Sequence, residues 1–153
     1  MTGVIVGLRA SGGGVPKQEI PRAIVGVGGI EGDTQAHRVH HGRPWQALCL
    51  YSVEVIEALC VEGHPIAPGS VGENLTIEGV DWTRMRGGLT LEIGDVRCRV
   101  SAPAHPCYQL ESFFQGADVS RIAHSEHPGW SRWYASVLHG GTIRPGDTVV
   151  VTA

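Results

Sequence analysis

Short bursts of apolar and β-branched residues recur along the whole chain. Val4–Leu8, Ala23–Val27, Ala47–Tyr51, Leu75–Val80, Leu89–Ile93, Val96–Val100 and Thr148–Thr152 each read as a strand. Glycine–acid pairs break them at Gly32-Asp33, Gly94-Asp95 and Gly146-Asp147. Ile93-Gly94-Asp95-Val96, flanked by alternating residues, predicts a two-residue hairpin. One segment has a clear helical pattern: Ser52 can cap a helix from Val53 to about Glu62, with Glu54 in its first turn and Gly63 as its stop. Trp130–His139 has a mixed period and runs into Gly140-Gly141, which predicts a second helix. Helical turns are expected near Glu111–Phe114 and Val119–His124. Strands spread this evenly predict a mainly β fold, an antiparallel barrel or sandwich with a few short α-helices. No linker, repeat or low-complexity tract interrupts the pattern, so residues 1–153 are expected to form one domain.

The composition narrows the function classes. The net charge is −3 and the pI about 6.2, which gives no electrostatic footprint for nucleic acid or a membrane surface. The 22 glycines favour tight turns over a helical bundle. No apolar run is long enough to span a bilayer and no signal-peptide pattern is present. With four unpatterned cysteines, that points to a reducing cytoplasm. The absence of any Cys-x-x-Cys pair removes zinc knuckles and dithiol redox motifs. Lys17 is the only lysine beside eleven arginines. It lies in a Gly-Pro-rich segment without a recognisable phosphate cradle, so pyridoxal chemistry is not expected on this chain.

The cysteines separate into two kinds. Cys49 lies in the apolar run Ala47–Tyr51, Cys98 shares a strand face with Val96 and Val100, and Cys60 falls in register with Val53, Ile56 and Leu59. All three read as packing residues. Cys107 follows Pro103-Ala104-His105-Pro106, where two prolines exclude regular pairing. A thiol on a stiff loop beside His105 suggests sulfur chemistry or a metal–thiolate bond. Two further loops carry chemistry-bearing residues. The first, Gly29-Ile30-Glu31-Gly32-Asp33, continues through His37, Arg38, His40, His41 and Gly42, three histidines within five residues that can serve as metal ligands. The second, Gly69-Ser70-Val71-Gly72, offers close backbone approach and leads to Glu73 and Asn74. The aromatic residues of the His105–Tyr134 segment can wall a pocket for a flat heterocycle or pack a core.

Taken in order, Gly29–Asp33, His41-Gly42 leading into Ala47–Ser52, Pro68–Thr76, Pro106-Cys107 and Pro128-Gly129-Trp130 through Gly146-Asp147 resemble the MOSC domain, named after the C-terminal part of molybdenum-cofactor sulfurases. Gly14-Val15-Pro16-Lys17 fits as well. The resemblance spans nearly the whole chain and implies a short standalone member folded as a β-barrel. It implies binding of the molybdenum cofactor (molybdopterin), or sulfur carriage fed by a pyridoxal-phosphate-dependent cysteine desulfurase as partner, with a molybdoenzyme or cofactor acceptor downstream. Cys107 becomes the sulfur carrier or the molybdenum ligand, and Asp33, His41, Gly42, Glu73, Asn74 and His105 become cofactor-binding candidates. Two departures stand out. His41-Gly42-Arg43-Pro44-Trp45 replaces a common His-Gly-Gly-Pro-acid pattern. Ala104-His105 also stands where many members carry an arginine shortly before Pro-Cys, leaving Arg38, Arg43 or His105 as substitutes. Rival readings are a molybdenum-dependent oxidoreductase component, a non-catalytic pterin carrier module, and a zinc hydrolase using His37, His40 and His41.

Overall fold

A computed structural model describes residues 1–12, 15–33 and 44–153. Its strands are β1 (Thr2–Ala10), β2 (Gln18–Glu19), β3 (Ala23–Gly26), β4 (Gly29–Ile30), β5 (Leu48–Ser52), β6 (Leu75–Glu78), β7 (Thr90–Ile93), β8 (Val96–Pro103), β9 (Trp133–His139), β10 (Gly141–Ile143) and β11 (Thr148–Thr152). Seven of them close a barrel in the order β11-β7-β8-β9-β5-β6-β1, with β1 returning to pair antiparallel with β11. Among the described residues only β5 and β6 run parallel, and helix α1 (Val53–Val61) lies between them in the chain. Strand β2 pairs with the end of β1, while β10, β3 and β4 form a small separate sheet. Closure leaves the barrel strands no free edge, so the alternating runs bury one face without a pairing liability.

The predicted hairpin joins β7 to β8, with Ile93 opposite Val96 and Gly94 at a φ of 58°. Helix α1 starts where its sequence indicates: the Ser52 side chain accepts the Val55 N–H, and Gly63 follows at a φ of 99°. Its buried face is Val55, Ile56 and Leu59. Cys60 lies roughly a quarter turn from the centre of that face and is exposed, its Sγ donating to the Ile66 carbonyl at 3.0 Å. The reading of Cys60 as a packing residue is therefore corrected.

The larger correction is at Trp130–His139. From Trp133 onward this segment is strand β9, flanked by β8 and β5. Trp133, Tyr134, Ala135 and Val137 are buried. A central strand covered on both faces loses the alternation that reveals strands, and its near-continuous apolar run then mimics a helix. Gly140-Gly141 leads into β10 and stops no helix. The two weaker helical turns are short 3-10 helices at Tyr108–Phe113 and Val119–Ile122. No helix among the described residues is long and apolar enough to cross a membrane.

Candidate functional site

The site is built around Cys49 on β5, which is flanked by β6 and β9. Asn74 immediately precedes β6 and grips Cys49 twice through the backbone region: its N–H donates to the Cys49 carbonyl at 2.8 Å, and its Oδ1 accepts the Cys49 N–H at 2.9 Å. Its Nδ2 donates to the Arg9 carbonyl at 3.2 Å and to Asp33 Oδ2 at 3.0 Å. Both polar atoms of the carboxamide are thereby engaged by protein, and the residue is fully buried. Asp33 in turn accepts from Lys17 Nζ at 2.7 Å and from the Ser11 N–H at 2.8 Å. The only lysine is thus a buried ion-pair partner, with its side chain 7 % exposed and that of Asp33 5 %.

Glu73 is fully buried on the neighbouring turn. Its Oε2 accepts the Gly69 N–H at 3.0 Å and the Thr76 hydroxyl at 3.2 Å, while Oε1 has no partner. Burial pushes its carboxyl above the ordinary range, against the pull of those hydrogen bonds and of Arg9. Gly69 is required here: its φ is 89°, and a Cβ would lie 2.5 Å from Arg9 Cδ. That close approach lets Arg9 reach Thr76 Oγ1 at 2.9 Å and Glu19 at 3.1 Å.

Cys107 is half-buried at the N-terminus of the Tyr108–Phe113 helix, where its thiol makes no capping hydrogen bond. His105 is exposed and contributes its carbonyl. The connection between Cys107 and the rest runs through Arg132, a residue the sequence reading did not single out. Its Nη1 donates to the Val71 carbonyl at 2.8 Å and its Nη2 to the His105 carbonyl at 3.3 Å. The same guanidinium acts electrostatically on the Cys49 thiol. Burial raises that thiol's pKa, with Arg132 and Lys17 opposing the shift. The Tyr134 phenol is also pushed up, first by burial and then by Cys49, with Cys107 adding to the shift. Asp33, Glu73, Asn74 and the Cys107 segment are thus gathered in one region, while His37, His40, His41 and Gly42 lie outside the described residues. Among the described residues, no three His, Cys, Asp or Glu side chains are placed to hold a metal ion.

An open groove of about 680 Å³ borders the Lys17–Asp33 pair, lined by Ser11, Pro16, Gln18, Arg22 and Glu31 among others. Two buried atoms of this region lack partners: Glu73 Oε1 and Arg132 Nε. Buried polar atoms are ordinarily paired, so this donor set suits a polar ligand. With the Arg132 guanidinium as donor and the half-buried Cys107 thiol, it fits an anionic cofactor bearing a thiophilic metal.

A closed seven-stranded barrel with one half-buried cysteine beside a polar cluster defines the class of protein. The MOSC domain model matches residues 37–150, and the chain belongs to that family, which is associated with molybdenum cofactor binding. YiiM of Escherichia coli is 32% identical over 75% of this chain and 52% of its own length. YflK of Bacillus subtilis is 31% identical over 76% and 52%. The chain thus spans about half the length of these curated relatives. A reductase of Gibberella moniliformis is 29% identical over 79% of this chain and 22% of its own. Among solved structures, the YUAD protein of Bacillus subtilis superposes with a TM-score of 0.77 at 19% identity, covering 99% of this chain and 96% of that one. The YiiM structure from Escherichia coli does so with a TM-score of 0.74 at 22% identity, covering 100% and 70%.

Proposed function

We propose that this protein carries sulfur as a persulfide on Cys107 in the service of a molybdenum–pterin cofactor bound beside it. The observation that carries this reading is the contrast among the thiols. Cys49 and Cys98 are buried, with burial pushing the Cys98 thiol up to about 12. Cys60 is exposed on the helix surface and bonded to the Ile66 carbonyl. Cys107 alone is half-buried on a proline-stiffened loop next to the polar cluster. A carrier thiol needs this combination of access and enclosure.

The loading step is balanced. The Cys107 thiolate attacks the outer sulfur of a partner's persulfide, the partner's S–S bond breaks, and the partner's thiolate leaves. An acceptor nucleophile then takes that outer sulfur and releases the Cys107 thiolate. A pyridoxal-phosphate-dependent cysteine desulfurase suits the donor role. Pyridoxal phosphate itself belongs to that partner, because Lys17 Nζ is committed to Asp33. When bound, the molybdenum centre would supply two-electron redox chemistry. Cys107 would offer it a thiolate, and the Gly69–Asn74 loop, Asp33 and Arg132 would shape the polar wall around it. The reductase among the relatives favours a second reading, in which Cys107 ligates the metal within an oxidoreductase.

Intact-mass analysis after incubation with a cysteine desulfurase and free cysteine tests the carrier reading. A gain of one sulfur that is lost on reduction and absent from Cys107→Ser supports it. No gain on the wild-type chain refutes it. Molybdenum content of the purified protein decides the second reading: metal present in the wild type and lost in Cys107→Ser supports ligation.

A further inference from the structure

Arg132 is a buried charge to which the proposed sulfur transfer assigns no step. It is 6% exposed, and among the described residues no carboxylate lies within ion-pairing distance of it. Glu73, an acid electrostatically linked to it, is itself held toward its neutral form by burial. A buried guanidinium without a carboxylate is a poor stabilising device, since an apolar residue of similar volume would fill the space at less desolvation cost. Its hydrogen bonds go to two places far apart in the chain, the Val71 carbonyl at 2.8 Å and the His105 carbonyl at 3.3 Å. Its own carbonyl accepts the Ala104 N–H at 2.9 Å. Ala104 is 1% exposed and packs with Cys49 and Tyr134, the same groups that Arg132 senses. The segment before Pro106-Cys107, which has no arginine of its own, therefore receives a guanidinium from the chain beside it.

We propose that Arg132 is the positioning residue of Cys107, locking the His105–Cys107 segment onto the Gly69–Asn74 loop so that the thiol is held half-enclosed. This rests on Cys107 being the reactive sulfur. Two carbonyls facing one side chain from different loops need a flat donor with several N–H groups. A lysine ammonium keeps the charge but is a single point on a flexible stem. The brace also fits persulfide carriage, because a terminal sulfur on a loose loop is open to thiol reductants.

The test uses the full chain with Arg132→Met and Arg132→Lys. Brief iodoacetamide labelling with peptide mapping gives the Cys107:Cys60 rate ratio, with exposed Cys60 as internal reference and buried Cys49 and Cys98 as folding controls. Sodium trisulfide serves as the sulfur donor: the Cys107 thiolate takes one sulfur and disulfide dianion leaves. Dithiothreitol then measures the lifetime of the persulfide. Both variants are expected to raise the Cys107:Cys60 ratio at least fivefold and shorten the persulfide lifetime at least fivefold, with Cys49 and Cys98 still protected. A wild-type ratio in Arg132→Met overturns the proposal. So does full restoration by Arg132→Lys, which would make charge alone sufficient, and so does exposure of Cys49 and Cys98, which would make Arg132 a folding element. If the wild type takes up no sulfur, the carrier reading fails, and the labelling ratio still decides the brace.

Discussion

Asn74 is the residue whose removal has the most calculable consequence. In Asn74→Ala the backbone bonds to Cys49 and Arg9 can survive, because they use the Asn74 N–H and C=O. The side chain, however, is the partner of the Cys49 N–H, the Arg9 carbonyl and Asp33 Oδ2. Asp33 keeps Lys17 at 2.7 Å, so its loss is partial. The other two groups belong to residues only 4% and 7% exposed, and water has little access to them. Each such orphan costs about 1–3 kcal/mol, so the substitution is expected to destabilise by about 2–6 kcal/mol. That is a large fraction of the stability of an ordinary domain. Urea unfolding followed by tryptophan fluorescence reads it as a lower midpoint at unchanged slope. Asn74→Asp adds a second, independent check. It keeps an acceptor for the Cys49 N–H but sets a second carboxylate against Asp33, so one of the two titrates high in the folded state. Its stability should then be greatest in acid and fall as pH rises above the unfolded carboxylate range of about 4. A loss below 1 kcal/mol in Asn74→Ala, or a pH-independent Asn74→Asp, would show that Asn74 does not hold this cluster together.

Glu73 has a folded pKa raised by burial, so its contribution is favourable below the unfolded value of 4.5 and is lost as pH rises from there through the folded value; Glu73→Gln should be more stable than wild type at pH 8 and flatten the pH dependence of the urea midpoint. Brief alkylation of the native chain should label Cys60 and Cys107 well before Cys49 and Cys98, whose thiols are buried and pushed up; peptide mapping that finds Cys49 first contradicts the site. Cys98→Ser should destabilise by roughly 1–3 kcal/mol, through a hydroxyl buried without a partner, and leave Cys107 labelling unchanged. Arg121 grips Glu62 with two bonds of 2.9 and 2.7 Å and lies 3.9 Å over the Trp130 ring. Because the pair is partly exposed, Arg121→Ala should cost only about 1 kcal/mol, with the ion-pair share vanishing in high salt.

The barrel was legible where strands have one wet face. Val96–Val100 alternates buried Val96, Cys98 and Val100 with exposed Arg97 and Arg99, and Thr148–Thr152 does the same around Val149 and Val151. The two-residue turn at Gly94-Asp95 fixed their neighbour. Helix α1 was equally plain, because its cap and its stop are both written in side-chain chemistry. Strand β9 was not, because successive residues Trp133, Tyr134 and Ala135 are buried on both of its faces and Ser136 is the single polar residue in Trp133–Val137. Cys60 failed for a smaller geometric reason. A spacing of four from Ile56 puts it near the apolar stripe, but the stripe is centred on Leu59 and the thiol falls off its edge.

The site was legible as residue types but not as roles. Asp33, Glu73 and Asn74 sit in turns whose glycines advertise close backbone approach, so sequence could gather them as candidates. It could not show that Asn74 spends its carboxamide on Cys49, Arg9 and Asp33, because those partners come from three other strands and loops. Lys17 was noticed for its solitude, yet only the fold reveals that Asp33 uses it as a counter-ion. Arg132 was hidden twice. It lies just before the strand misread as a helix, and its guanidinium serves a segment some 27 residues away in sequence. The absence of an arginine before Pro106-Cys107 was the one available signal, and it marked the segment whose His105 carbonyl Arg132 holds. Of the substitutes Arg38, Arg43 and His105, the two arginines lie outside the described residues and His105 lends its carbonyl, while an antiparallel ladder brings Arg132 against Ala104 through a backbone hydrogen bond. A side chain lost from one strand can be supplied by its neighbour on the same face, since cross-strand partners share their environment. The missing charge in a β-barrel site is therefore to be sought across the ladder before it is sought along the chain.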